Sequence, residues 1–438
     1  MTVAPPASGE FDVDGLVDLI GRRLHLVPRC RQKLREVPGR LGLPVWVDDP
    51  DFDLHYHIRR TTLPRPGSEG QLHELVARLF ARPLDRSRPL WEVYLVEGLE
   101  DDRLAIISKI HHAMVDGLGS MDMGALLLDL EPVPRPTPPD DWVPAPEPSG
   151  VTLAADAVVD LLRRPQTLVE RLTRALGDVE QTVGELARTV GGVWAAARTA
   201  TSTRPVHPLN AATGMHRRFR TACAPLADHR KVRSVNGGTI NDVVLAVVTG
   251  GLRRWMISRG EAVPTDLTVR ALVPVSVRAR RRRDEPAGNH ISAYFVPLPV
   301  GEPDPLTRLQ RVSAAMDAHK RSGQAIGATT LVNLAGLTPP TVHSLGARLT
   351  SQFSSRLFNV LVTNVPGPPR PLYALGGRLL DMYPVVPLAG GQAVAIGITS
   401  YDGVMHYGLI GDRDAVPDLD VLAAAMIESL EELIHASG

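Results

Sequence analysis

The sequence predicts two mixed α/β or α+β domains, and three observations predict them. Short apolar runs of strand length alternate with longer segments whose apolar residues recur at helical spacing. The 438 residues, 44% of them hydrophobic, are enough for two cores rather than one. A proline-rich stretch, Leu130 to Gly150 (LEPVPRPTPPDDWVPAPEPSG), reads as an extended, exposed linker, and no repeat recurs at solenoid periods.

Taken in order, Val13 to Leu26 carries a helical recurrence (Leu16, Leu19, Ile20, Leu24) that stops before Pro28. Arg29 to Leu43 is basic and turn-rich. Val45-Trp46-Val47 and Phe52 to Ile58 are strand candidates separated by an Asp-Pro turn signal. Leu72 to Leu79 is a helix candidate. The crossing Pro83 to Glu92 carries Trp91, read as a core residue. The strands Val93 to Val96 and Leu104 to Ile110, joined at Glu100-Asp101-Asp102, should neighbour each other in one sheet. Met121 to Leu130 has helical length. Val151 to Ala200 predicts two amphipathic helices interrupted at Pro165, with mixed charges that favour packing on the protein's own core over a lipid surface.

The second half begins near Pro208. Thr239 and Asp242 form a weak capping box ahead of a helix apolar nearly all round, which should be buried. Strands are expected at Leu267 to Pro274, Ile291 to Pro297, Phe358 to Thr363, Ala393 to Ser400 and Val404 to Ile410. Tyr401-Asp402-Gly403 makes the last two a hairpin. Helices are expected at Leu306 to Met316, Thr338 to Leu349 and Val416 to Ala436. The run Arg280 to Arg283 is either a solvated loop or a contact for anionic headgroups or phosphates.

Composition excludes several classes. The 48 basic residues balance the 48 acidic ones, so no global field favours nucleic acid. Two distant cysteines, Cys30 and Cys223, exclude a disulfide framework and suit a reducing compartment. MTVAPPASGEFD is no signal peptide, and the apolar runs fall short of the roughly 18 residues of a membrane span. The expectation is a cytoplasmic protein.

Chemistry concentrates at KIHHAMVDGLGSMDM, Lys109 to Met123. A histidine at a strand end can act as a general base near neutral pH. Asp116 lies four residues after His112, and Gly117 and Gly119 permit close approach of backbone or ligand. These residues alone leave open a catalytic site, a divalent metal site and a structural polar turn. The metal reading is weak, because adjacent histidines in extended chain point to opposite sides and no third ligand lies at motif spacing. No G-x-S-x-G elbow, Walker motif or dinucleotide-binding glycine motif occurs.

His111-His112-Ala113-Met114-Val115-Asp116-Gly117 matches the HHxxxDG signature of the CoA-dependent acyltransferase superfamily, which includes chloramphenicol acetyltransferase and peptide-synthetase condensation domains. Pro89-Leu90-Trp91-Glu92, Asn241-Asp242, Pro274 to Arg278 with Gly288-Asn289, Asn364 to Pro368 and Ser400 to Gly403 resemble the bacterial wax ester synthase/diacylglycerol acyltransferase family, in the expected order and over most of the chain. The resemblance implies a two-domain chloramphenicol-acetyltransferase-like fold. Each domain is a mixed sheet packed with helices, and the active-site channel lies at their interface. It implies an N-terminal acyltransferase domain over 1–135, linker and amphipathic helices over 136–207, and a C-terminal acyltransferase domain over 208–438. The family usually opens with a further segment bearing an LSPxDxxF-like motif and a first strand, which this sequence lacks. A shortened variant or a truncated gene reading is the expectation.

The resemblance also implies roles. His112 is the general base, and His111, Asp116, Gly117 and Arg278 shape the site, Arg278 as the candidate partner of Asp116. Asn289 and Asn364 are candidate oxyanion donors, and Asn241 and Asp242 candidate channel residues. No metal, bound cofactor or covalent acyl-enzyme is implied; acyl-CoA is a co-substrate. The implied reaction moves a long-chain acyl group to 1,2-diacylglycerol, giving triacylglycerol. A long-chain fatty alcohol, giving a wax ester, is the alternative acceptor. A catalytically silent lipid-binding or condensation-like protein is the alternative of another class. A peripheral position on the inner face of the plasma membrane or on lipid inclusions would suit these substrates.

Overall fold

The computed structural model describes residues 1–40, 44–115, 124, 126–163, 206–276, 291–322, 326–327 and 357–438. In the N-terminal half, β1 (Thr2–Val3) precedes α1 (Val13–Arg23), whose first turn is capped by Asp12 Oδ1 accepting from the Gly15 N–H at 2.8 Å. A small hairpin follows, β2 (Gln32–Arg35) on β3 (Val45–Asp48). Then come β4 (Ile58–Thr62), α2 (Glu69–Phe80), β5 (Trp91–Glu97), β6 (Leu104–Ile110) and α3 (Gly150–Arg163). The second half contributes β7 (Arg217–Pro225), α4 (Leu226–Asn236), α5 (Ile240–Ser258), β8 (Val269–Ser276), β9 (Ile291–Leu298), α6 (Pro305–Ser322) and β10 (Ile326–Gly327). It closes with β11 (Val360–Pro366), β12 (Tyr373–Ala374), β13 (Gly377–Asp381), β14 (Val394–Tyr401), β15 (Val404–Asp412) and α7 (Leu419–Ala436).

Two mixed sheets organise these elements. The first has the order β12-β13-β1-β6-β5-β4, the second β10-β9-β8-β11-β14-β15-β7. Helices α4 to α7 cover one face of the second sheet, and their apolar residues form the larger core with Val243, Val247, Leu252 and Trp255 of α5 at its centre. A separate apolar cluster joins the sheets: Leu72 and Val76 of α2 and Ile107 of β6 meet Phe219 of β7, Ala395 of β14 and Ile410 of β15. The first sheet is completed from the far end of the chain, because β13 pairs antiparallel with β1 and Asp129 exchanges backbone hydrogen bonds with Tyr373 at 2.8 Å.

Three local expectations change. Phe52 to Ile58 is not a strand: the Asp53 carboxylate accepts from the His55 N–H at 2.9 Å, capping the helical turn Leu54–His57, and the strand begins at Ile58. The turn-rich stretch after Arg29 contains β2, whose polar residues carry no strand signal. The proline-rich linker is extended but fastened to the β2–β3 hairpin. Asp140 pairs with Arg31, Trp142 lies under the Arg31 guanidinium at 4.7 Å, Glu147 pairs with Arg35 at 3.1 Å, and Asp48 accepts from the Ala145 N–H at 3.0 Å. Neither Cys30, which is buried, nor Cys223, which is exposed, is in a disulfide. The expected helices after Pro165 and at Thr338 to Leu349, most of Met121 to Leu130 and the run Arg280 to Arg283 lie outside the described residues.

Candidate active site

The site is built on β6, whose residues Leu104 to Ile107 are buried because both faces are covered, one by a first core that Leu16 and Ile20 of α1 form with Leu90 and Trp91, and one by the inter-sheet cluster. Near its end the Lys109 ammonium, its pKa lowered by burial, donates to the carbonyls of Leu79 and Arg82 at the C-terminus of α2. The chain then leaves the sheet. The His111 N–H donates to Leu90 O at 2.9 Å, and residues His112–Val115 make one helical turn. Two contacts hold that turn. His111 Nδ1 accepts from the Ala113 N–H at 3.2 Å, and Met114 is buried in the first core. A lone pair on Nδ1 facing Ala113 leaves the other ring nitrogen of an exposed His111 as the proton-bearing one in the neutral form. The His112 side chain, Asp116, Gly117, Arg278 and Asn289 lie outside the described structure.

The structure brings two of the other named residues together. Asn364 Nδ2 donates to Asn241 Oδ1 at 3.2 Å, joining β11 to the first turn of α5. Alternation along β11 puts Thr363 and Val365 on the inter-sheet side and Asn364 on the side of α5. Asp242 caps the helix: its Oδ2 accepts from the Thr239 N–H at 2.8 Å while Thr239 Oγ1 accepts from the Asp242 N–H at 3.2 Å. Its Oδ1 is buried without a hydrogen-bond partner among the described residues.

Between the sheets lies a cavity of about 530 Å³ that reaches Ile110, the residue before His111. Its walls are Leu72 and Val76 of α2, Ile107 and Ser108 of β6, Phe219 of β7, and Val365 of β11. Such a lining suits alkyl chains. Ser108, whose buried hydroxyl has no partner among the described residues, is a polar lining residue outside the expected set. Its one signal in the sequence is a hydroxyl inside an apolar strand. At the far end the Thr221 hydroxyl donates to Glu69 at 2.9 Å and His73 Nε2 lies 3.4 Å from the same carboxylate; the His73 hydrogen bond brings the Glu69 pKa to about 2. Burial pushes the Tyr383 phenol up, so this lining residue stays protonated.

Comparison with solved structures defines the class. Superposition on the wax ester synthase/diacylglycerol acyltransferase from Marinobacter aquaeolei gives a TM-score of 0.69 at 27% identity, covering 100% of this chain and 93% of that one. The first condensation domain of the CDA synthetase gives 0.52 at 15% identity over 100% and 90%, a likeness of fold alone. The fold is thus the two-domain condensation and chloramphenicol-acetyltransferase-like one. The family model of the wax ester synthase/diacylglycerol acyltransferase catalytic domain matches residues 1–244, and that of the WS/DGAT C-terminal domain matches residues 287–434. A probable diacylglycerol O-acyltransferase of Mycobacterium tuberculosis is 34% identical over 432 residues, 97% of this chain and 89% of the relative. A second from the same organism is 46% identical over 230 residues, 52% of this chain and 84% of the relative. The chain belongs to the wax ester synthase/diacylglycerol acyltransferase family.

Proposed function

We propose that the protein transfers a long-chain acyl group from acyl-CoA to 1,2-diacylglycerol, forming triacylglycerol and free CoA. The observation that carries this reading is the HHxxxDG segment at the end of β6, beside an apolar cavity between the two sheets, in a chain of this family. Relatives described as diacylglycerol O-acyltransferases over nearly the whole chain support that acceptor.

His112 acts as the general base. It takes the proton of the acceptor hydroxyl as that oxygen attacks the thioester carbonyl, and the tetrahedral intermediate then expels the CoA thiolate, which receives the proton from the imidazolium. No covalent acyl-enzyme forms. His111, Asp116, Gly117 and Arg278 hold the turn, with Asp116 paired to Arg278. The oxyanion needs a donor; of the two candidates, Asn289 is the one proposed, because Asn364 faces α5 and donates to Asn241 Oδ1 at 3.2 Å on the side of β11 away from the cavity. Wax ester formation from a long-chain alcohol is the second reading, supported by the Marinobacter relative, whose name carries both activities. Apolar walls discriminate weakly between alkyl acceptors.

Among the described residues no helix is long and apolar enough to cross a membrane. Access to a lipid acceptor is proposed from a peripheral position on a membrane or lipid inclusion. The test supplies purified protein with radiolabelled palmitoyl-CoA and either 1,2-diacylglycerol or hexadecanol. The expected result is labelled triacylglycerol formed faster than labelled wax ester. Label confined to wax ester would replace the acceptor, and label in neither product would remove the activity.

A further inference from the structure

Helix α2 and strand β7 make a second concave feature, on the side away from the cavity. It is a groove of about 270 Å³ lined by Arg78, Arg217, Arg218, Arg220 and Arg413, with Glu74 as the one carboxylate among its described lining residues. Two of these arginines are occupied by the protein's own carboxylates: Arg217 lies 3.7 Å from Asp412, and Arg413 lies 3.4 Å from Asp414. Arg220 donates to Phe219 O at 2.8 Å. Arg78 and Arg218 have no hydrogen-bond or ion-pair partner among the described residues, and the Nε of Arg218 is buried. A guanidinium donor withdrawn from water and left unpaired is costly, and an anion that binds there offsets the cost.

The groove adjoins the cavity across a shared wall. His73 and Phe219 line both the groove and the inter-sheet cavity, their rings meeting edge to face with centroids 5.3 Å apart. Along α2 the groove runs to Ala81. The Lys109 ammonium donates to the carbonyls of Leu79 and Arg82, so this end of the groove lies beside the end of β6 that leads into His111. One side of the α2–β7 contact is therefore mostly apolar and reaches Ile110, the residue before His111, while the other is cationic.

An acyl-CoA has the matching division: an acyl chain and thioester on a flexible arm, and a nucleotide end carrying a pyrophosphate and a further phosphate. Guanidinium forks bind phosphate oxygens bidentately and more strongly than neutral donors do. We propose that this groove holds the phosphates of acyl-CoA, with Arg78 and Arg218 as the principal contacts and the acyl end in the cavity. This rests on the reading of acyl-CoA as the donor. A concave groove that shares a wall with the cavity and ends beside β6 favours a ligand with one end in each over the headgroups of a lipid surface.

The test uses the full chain with Arg78→Glu, Arg218→Glu and the double variant, each checked for an unchanged melting curve. Binding of CoA is measured by calorimetry, which needs no turnover. Transfer is measured with palmitoyl-CoA and with the palmitoyl thioester of N-acetylcysteamine, which has no phosphates. The expected result is a CoA Kd and a palmitoyl-CoA KM raised about tenfold or more per arginine, the effect of one lost charge-assisted contact. The kcat/KM for the phosphate-free thioester should stay at the wild-type value. An unchanged CoA Kd in the double variant would overturn the assignment, as would equal losses for both donors. So would a loss confined to association with phosphatidylglycerol vesicles, which would name a lipid headgroup as the occupant. Wild-type protein that binds CoA through these arginines but transfers from neither donor would sink the proposed reaction and leave the groove standing.

Discussion

The ring of His57 lies between Phe52 and Trp91, stacked at centroid distances of 5.2 Å and 4.7 Å, with Nδ1 donating to Trp91 O at 2.7 Å. His229 is held similarly: Nδ1 donates to Pro225 O at 3.0 Å, so Nε2 accepts from the Tyr407 hydroxyl at 2.6 Å. Burial lowers the pKa of both, and of His406, whose two ring nitrogens have no partner among the described residues. The unfolded chain takes up these protons near the ordinary histidine value of about 6.5, and the folded chain only at lower pH. More protons bound in the unfolded state means that stability, fully present above about pH 6.5, falls as pH drops through that value toward the folded pKa values. Urea midpoints measured from pH 7.5 down to 5.5 should decrease. His57→Gln should flatten that slope, whereas an equally steep slope in the variant would exclude His57 as a contributor. None of this was legible in the sequence. His57 stands in a stretch that reads as a strand by alternation, and only the Asp53 cap and the Trp91 contact reveal a turn.

At the scale of elements, local signals were readable wherever the chain's own chemistry decides the outcome. Asp402 and Gly403 adopt φ of 45° and 81°, the left-handed pair that a two-residue hairpin turn requires, and β14 pairs with β15 from Tyr401 opposite Val404. The capping box of α5 forms with Asp in place of Glu. Strand β2 was missed because Gln32–Arg35 owes its order to β3 and to the strap that pairs with Arg31 and Arg35. Close approach of α5 to α7 was likewise invisible. A Cβ on Gly251 would lie 2.8 Å from Met426 Cγ and 3.1 Å from its Cα, so only glycine lets the two helices meet. Gly251→Val should destabilise by about 1–3 kcal/mol through overpacking, despite valine's better helix propensity. Denaturant unfolding checks it, and an unchanged or higher midpoint would mean that α7 can move away at no cost.

For the whole molecule, the two-domain class followed from alternating elements and length, and the histidine turn from its motif and its place at a strand end. The cavity was not readable, because its wall comes from α2, β6, β7 and β11, segments that only the folded sheets bring together. The pairing of β13 with β1 was not readable either, since it spans almost the entire chain and depends on both sheets having formed. The arginine groove combines one residue of α2 with others of β7 and Arg413, a cluster no linear run announces. The proposed acyl transfer at His112 is tested most directly by comparing His112→Ala with the wild type for transfer from palmitoyl-CoA to diacylglycerol at saturating donor. Loss of a general base should lower kcat by roughly 10²–10⁴ while the calorimetric Kd for CoA stays unchanged; a variant that turns over at the wild-type rate would contradict the account.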